Sequence, residues 1–313
     1  MSMKRIEDLE LLYVKEVLDS GFRSSKGSFY NNKLERAVCK TYETDFAIGH
    51  VNATAAMHTA LLAFDVKQGD EVIVPPLTMS STAISVLQAN GTPIFADINP
   101  ETLTIDPDSI LKCITNKTVG IISVALYGLM PNLQKIKKIC KEHTLFLIED
   151  NAECLKSSLD GSLCGSFGDF SCYSYQASKH LTCGNGGMLT TNSENLANKA
   201  RKIANLGYTT VGAKKHNISK DEVQSPDFAR HECLGFNYRL SEINAAVVLA
   251  QIERHEDLLR ARVDSAEYFE KALKNSKLVR SQLNPEGYFN SFWCFTIILE
   301  TSNTKEKWKH FRR

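Results

Sequence analysis

Four stretches of the 313-residue sequence place side chains capable of chemistry just beyond a run of apolar or β-branched residues. Asp150 follows LFLIE, and Ser174 and Lys179 lie in SCYSYQASKHLTCGNGG. Thr54 lies in HVNATAA, and Asn237 and Arg239 lie in GFNYRLSE ahead of a helical pattern. In an open α/β sheet, ligands bind beyond the carboxyl ends of the strands, so these are the positions to weigh. Each has an ordinary reading when taken alone. Asp150, Asn52, Thr54 and Ser241 suit helix caps, and a loop lysine is usually a solvated charge. Lys179, however, is flanked by small and apolar residues, the setting in which a lysine serves as an amine nucleophile. The helix that starts at Ala53 can bind a phosphate with its free N–H groups and the positive end of its dipole. Gly184, Gly186 and Gly187 allow backbone to approach a ligand closely. This stretch has neither a GxGxxG nor a GxxxxGK pattern, so dinucleotide and P-loop readings lose support.

Together, a lysine, an aspartate, a serine and a helix N-terminus at strand ends describe what pyridoxal phosphate requires. The lysine forms a Schiff base with the aldehyde, and the aspartate keeps the ring nitrogen protonated so that the ring accepts electrons. The serine and the helix N-terminus hold the phosphate. Their joint occurrence is more specific than any one of them.

Such a constellation needs a sheet to carry it, and residues 45–190 alternate short apolar runs with longer helical patterns. That alternation predicts a mostly parallel sheet covered on both faces, an α/β fold of three layers. Strands are predicted at 45–50, 71–74, 93–96, 119–125, 145–149, 170–175 and 187–191, and helices around 53–64, 81–89, 133–142 and 193–204. Residues 209–225 read as a polar surface loop. One long helix is predicted from Ser241 over SEINAAVVLAQIERHEDLLRARVDSAEYFEKAL, joining a large unit (1–250) to a small α+β one (251–313). A strand follows at 292–299. The small unit, ending at Arg313 within a helical pattern, reads as incomplete.

Composition narrows the partners. Lys and Arg total 37 against 36 Asp and Glu, for a net charge of +1, so bulk charge offers no attraction to nucleic acid or anionic membranes. The longest apolar stretch, 119–130, is interrupted and too short to span a bilayer. The N-terminus reads as an amphipathic helix rather than a leader. Nine scattered cysteines show no CxxC pair, which predicts reduced thiols, no metal site and a cytoplasmic setting.

The sequence resembles the DegT/DnrJ-type sugar aminotransferases, perosamine synthase-like members of the fold type I pyridoxal-phosphate enzymes. The resemblance runs from about Gly27 to the end of the chain. It rests on NATAAMHTAL, GDEVIVPPLTMSSTA, GTPIFADINPETLTIDP, IEDNAECLKSSLDGSLCGSFGDFSCYSYQASKHLTCGNGGML and LGFNYRLSEINAAVVLAQIER. It implies a seven-stranded large domain and a pyridoxal or pyridoxamine phosphate cofactor. Lys179 resembles the Schiff-base lysine, Asp150 the partner of the ring nitrogen, and Ser174 a phosphate ligand. Thr54 and Ala55 match the turn at the phosphate, and Ala152 the residue against the ring. Asn237 matches an asparagine that reaches the other subunit's cofactor, which implies a homodimer. Three positions depart from the pattern. Met79 stands where an aromatic ring is common, Glu153 stands for a frequent Gln near the cofactor's phenolic oxygen, and Asn185 replaces a common Glu.

The resemblance implies transfer of an amino group from L-glutamate to a keto-sugar nucleotide. A sugar 3-dehydratase of the same family is associated with histidine in place of the lysine, which leaves Lys179 favouring transamination and His180 as a surface or supporting residue. A cyclitol aminotransferase and a non-catalytic cofactor-binding homologue are the other readings. Ser25, Lys26, Tyr30, Tyr127 and the 209–225 loop are candidates for substrate contact.

Overall fold

In a computed structural model, which describes residues 5–22, 29–211, 221 and 224–300, the chain builds one large sheet between two layers of helices. Helices α1 (Asp8–Asp19) and α2 (Phe29–Tyr42) precede β1 (Phe46–His50) and α3 (Ala53–Ala63). Then come β2 (Glu71–Val74), α4 (Ser81–Gln88), β3 (Thr92–Phe95), α5 (Pro107–Cys113), β4 (Thr118–Val124), α6 (Leu133–His143) and β5 (Phe146–Asp150). The short β6 (Ser158–Leu159) and β7 (Ser162–Leu163) lead to β8 (Phe170–Ser174), β9 (Gly187–Thr191) and α7 (Glu194–Ala204). After these come α8 (Glu242–Ile252), α9 (His255–Leu273), β10 (Val279–Ser281), β11 (Tyr288–Phe289) and β12 (Ile297–Leu299).

The seven large-sheet strands lie in the order β1-β9-β8-β5-β4-β2-β3. Only β9 is antiparallel to its neighbours β1 and β8. Alternation along each strand sends successive side chains into opposite layers. Ile121 and Leu147 join the core under α2, α6 and α8, whereas their neighbours Ile122 and Ile148 join the core under α3 and α7. Burial on both faces explains why these strands read as apolar runs.

The seven predicted strands and four predicted helices of this region lie within one or two residues of those expected. Other elements differ. Helix α5 was not anticipated; Asp106 caps it by accepting from the Asp108 amide, and Pro107 opens it, a short signal without amphipathic length. The long helix expected from Ser241 is two helices, broken at Glu253 and Arg254. No proline or glycine marks the break, but long-range contacts do. Glu253 accepts from the Tyr13 hydroxyl at 2.8 Å, while Arg254 turns to Glu7 at 3.4 Å and to the buried Glu10 at 2.5 Å. These tie the break to the start of the chain. The expected strand at 292–299 is confined to β12, and most of the 209–225 loop lies outside the described residues. No helix among those described is long and apolar enough to cross a membrane.

Candidate active site

Because β9 alone runs antiparallel, its first residue, Gly187, lies at the same edge of the sheet as the last residues of β1, β4, β5 and β8. Gly187 has to be glycine there. A Cβ would stand 2.4 Å from the Asn52 carbonyl carbon and 2.6 Å from the Ala53 nitrogen, both backbone atoms that cannot move aside. The close approach brings the start of α3 against the mouth of β9. A cavity of about 430 Å³ opens at this edge, lined among others by Thr54, Met79, Asp150, Ser174 and Lys179.

The start of α3 supplies an anion-binding end. Asn52 caps the helix by accepting from the Ala55 amide at 2.8 Å. The Ala53 and Thr54 amides, first in the helix, have no acceptor within it. The sequence reading named Thr54 and Ala55. Of these, the Thr54 N–H is open, whereas the Ala55 N–H donates to the Asn52 side chain. Ser174, at the end of β8, accepts the Gln176 amide at 3.3 Å and keeps its own proton to donate.

Asp150 ends β5 with its side chain on the cavity, while Glu149, one residue earlier, points to the opposite face. Glu149 is purely structural; its carboxylate accepts the amides of Gly165, Phe167 and Gly168 at 2.7–2.9 Å and fixes the loop ahead of β8. Asp150 accepts the Ala152 amide at 3.2 Å and the Thr82 hydroxyl at 3.0 Å. Burial pushes its carboxyl up; the Ala152 and Thr82 bonds pull it down, Glu153 adds to the rise and Lys179 opposes it. A cation against Asp150 would offset that desolvation. Thr82 was not read from the sequence; a hydroxyl in the first turn of α4 carries no sign that Asp150 lies beside it.

Lys179 follows β8 in a tight loop, its amide bonded to the Gln176 carbonyl at 3.0 Å. Its Nζ lies 3.1 Å from Glu153 Oε1 and 4.4 Å from the centre of the Trp293 indole. Trp293, also absent from the sequence reading, reaches the cavity from between β11 and β12. Its only forewarning was a large aromatic within a predicted strand. Gly128 permits this approach; at φ 105°, a Cβ there would meet the Phe292 amide nitrogen at 2.5 Å.

Other candidates fall differently. Met79 is 71% exposed at the cavity mouth, and Ala152 and Asn185 line the wall. Tyr127 does not line it; its amide donates to Glu153 Oε2 at 2.9 Å and its half-buried ring lies parallel to Trp293. Tyr30, in α2, is buried against α1 with its hydroxyl on Glu16, away from the cavity. Asn237 is exposed outside its own chain's cavity. Ser25 and Lys26 lie outside the described residues.

His180 is buried, not a surface residue, and its Nε2 turns from the cavity to the Ser291 carbonyl at 2.9 Å. Burial pushes its imidazole down to about 3; the Ser291 bond opposes this, and Arg262, Lys179 and Arg5 reinforce it. The folded protein therefore holds His180 neutral while the unfolded chain protonates it below about pH 6.5. Its stabilising share is present above that pH and is lost as pH falls toward the folded value. Urea unfolding of wild type and His180→Gln across about pH 7 to pH 5 is expected to show the wild type losing about 1.4 kcal/mol per pH unit relative to the variant below pH 6.5. A pH-independent difference would contradict this.

The donor set fits pyridoxal phosphate: open amides and hydroxyls at one end, a buried carboxylate at another, and an amine between them. A model of the DegT/DnrJ/EryC1/StrS aminotransferase family matches residues 4–312. The GDP-perosamine synthase of Vibrio cholerae is 32% identical over 292 residues, 93% of this chain and 75% of that protein. The solved aminotransferase of Psychrobacter cryohalolentis matches with TM-score 0.86 at 27% identity, over 97% of this chain and 78% of that one. NtdA of Bacillus subtilis, solved with bound cofactor PMP, matches with TM-score 0.80 at 26% identity, over 95% of this chain and 65% of that one.

Proposed function

The chain belongs to the DegT/DnrJ/EryC1/StrS aminotransferase family, and from that premise we propose that it transfers an amino group from L-glutamate to a keto-sugar nucleotide of the NDP-4-keto-6-deoxyhexose kind. The observation that carries this reading is the convergence of Lys179, Asp150, Ser174 and the open amides of α3 on one cavity at the strand ends. Pyridoxal phosphate bound there would supply an aldehyde that takes up the amino group and a ring that accepts electrons. Ala53, Thr54 and Ser174 would hold the phosphate, Asp150 would accept the ring N–H, and Ala152 would line the ring's side of the cavity. Lys179 Nζ takes the proton from the donor's carbon and returns one to the acceptor's carbon.

His180 supports transamination over dehydration, since its imidazole is committed to Ser291 and the group at the reacting position is an amine. The exposed Asn237, outside its own cavity, suits a role in a partner's site and so a homodimer. A large unit to residue 250 and a smaller one from 251 agree with the break at Glu253 and Arg254. Described cysteines that are all free suit a reducing cytoplasm.

Absorbance of the protein loaded with pyridoxal phosphate and titrated with L-glutamate tests the proposal. Conversion to the pyridoxamine form, reversed by a keto-sugar nucleotide, is the expected result. A loaded protein that glutamate leaves unchanged refutes the donor.

A further inference from the structure

Lys179 is held at two levels. Its backbone loop is fixed by donors to three consecutive carbonyls. Arg5 donates to Ala177 at 2.7 Å and also to Lys179, the Trp293 indole N–H donates to Ser178 at 2.9 Å, and Arg262 reaches Lys179 at 3.5 Å. Its ammonium is held separately, between the Glu153 carboxylate at 3.1 Å and the Trp293 ring at 4.4 Å. Both partners are themselves fixed. Glu153 Oε2 accepts the Tyr127 amide at 2.9 Å, and the Trp293 amide donates to the Tyr127 carbonyl at 2.9 Å. The Tyr127 and Trp293 rings lie within 7° of parallel, with centres 6.4 Å apart. Tyr127 therefore seats both groups from one residue, in the left-handed conformation at φ 62°. The Lys179 and Glu153 side chains are only 14% and 12% exposed, so water screens the pair weakly.

An aminotransferase lysine alternates between two states, bonded to the cofactor and free. When it bonds, a carbon–nitrogen double bond forms at Nζ and one water leaves, made of the aldehyde oxygen and two of the ammonium's hydrogens. The nitrogen must quit the carboxylate and the indole face to do so. Contacts made only by the free ammonium stabilise the free state alone, and a contact of unequal strength in two states shifts their balance.

We propose that Glu153 and Trp293 form a resting cradle for the free Lys179 ammonium, setting the balance between the lysine-bound and lysine-free states of the cofactor. The cradle gives Trp293 a positioning role. It also gives Glu153 a reason to be a carboxylate, since a neutral amide would hold an ammonium less firmly. This inference rests on the cofactor assignment above, although not on the identity of donor or acceptor.

Binding of the two cofactor forms tests it without turnover. Pyridoxal phosphate takes Lys179 out of the cradle, whereas pyridoxamine phosphate leaves it there. The dissociation constants of both are to be measured on cofactor-free wild type, Trp293→Leu, Trp293→Phe and Glu153→Gln. The ratio of the pyridoxamine to the pyridoxal constant is expected to rise about tenfold in Trp293→Leu and Glu153→Gln, as the aldehyde form gains relative to the amine form. Trp293→Phe keeps a ring face and is expected to change the ratio less. A role confined to packing moves both constants together and leaves the ratio fixed; that result in all three variants overturns the cradle while the cofactor assignment stands. A wild type that binds neither form overturns the cofactor assignment, and the cradle with it.

Discussion

Lys179→Ala is expected to lower turnover by about 10⁴-fold, because the nucleophile and the proton carrier are lost in one substitution. Among the described residues lining the cavity, Lys179 is the only one with a cationic side chain, and none stands by to replace it. The substitution also strands the Glu153 carboxylate, 12% exposed and pinned by the Tyr127 amide. Removing one partner of such a pair costs stability, here about 2 kcal/mol. Adding Glu153→Gln is expected to return most of that stability in urea unfolding and none of the activity in a single-turnover absorbance assay. Recovery of activity in the double variant would mean that Lys179 is not the reacting group.

Asp150→Asn is expected to separate the same two quantities in the opposite sense. Turnover falls by about 10³-fold, since an amide cannot keep the ring nitrogen protonated. Stability of the cofactor-free protein rises. Burial lifts the Asp150 carboxyl above its ordinary range; a group whose folded value exceeds its unfolded one opposes folding when ionised at neutral pH. Asparagine removes that charge and keeps both bonds, its oxygen accepting from Ala152 and its amide donating to Thr82. Thr82 can turn its own proton to Thr78, 3.4 Å away. Thermal midpoints of cofactor-free wild type and variant, read beside the glutamate half-reaction, check both halves. An active variant would remove Asp150 from the proposed chemistry.

The groups named from the sequence are those whose position is a local matter. Asp150 and Ser174 sit at strand ends, and a strand end is visible as the close of an apolar run. Lys179 lies in the loop that leaves such a strand. The α3 N-terminus follows from the same rule, although which amides stay open depends on the Asn52 side chain. Glu153 was named as a cofactor position, but the supporting contacts themselves were not legible because nothing local announces them. Thr82 meets Asp150 across 68 residues, Glu153 meets Lys179 across 26, and the Trp293 indole meets Ser178 across 115. The broken helix has the same origin. Periodicity runs unbroken through Glu253 and Arg254, and only their pairing with Tyr13, Glu7 and Glu10 accounts for the turn. Tyr30 shows the converse, a substrate candidate whose ring folding buries against α1, away from the cavity.

The three donors that fasten the lysine loop also order its assembly in time. Arg5 is made 174 residues ahead of the Lys179 carbonyl it binds, while Arg262 follows that carbonyl by 83 residues and Trp293 follows Ser178 by 115. Closing such spans costs chain entropy that local elements do not incur. On a ribosome, the sheet strands from β1 to β9 can pair while Arg262 and Trp293 are still unmade. The loop that carries Lys179 therefore reaches its final form after the sheet that supports it, and a nascent chain stopped short of Trp293 would lack both the indole bond to Ser178 and one wall of the cavity.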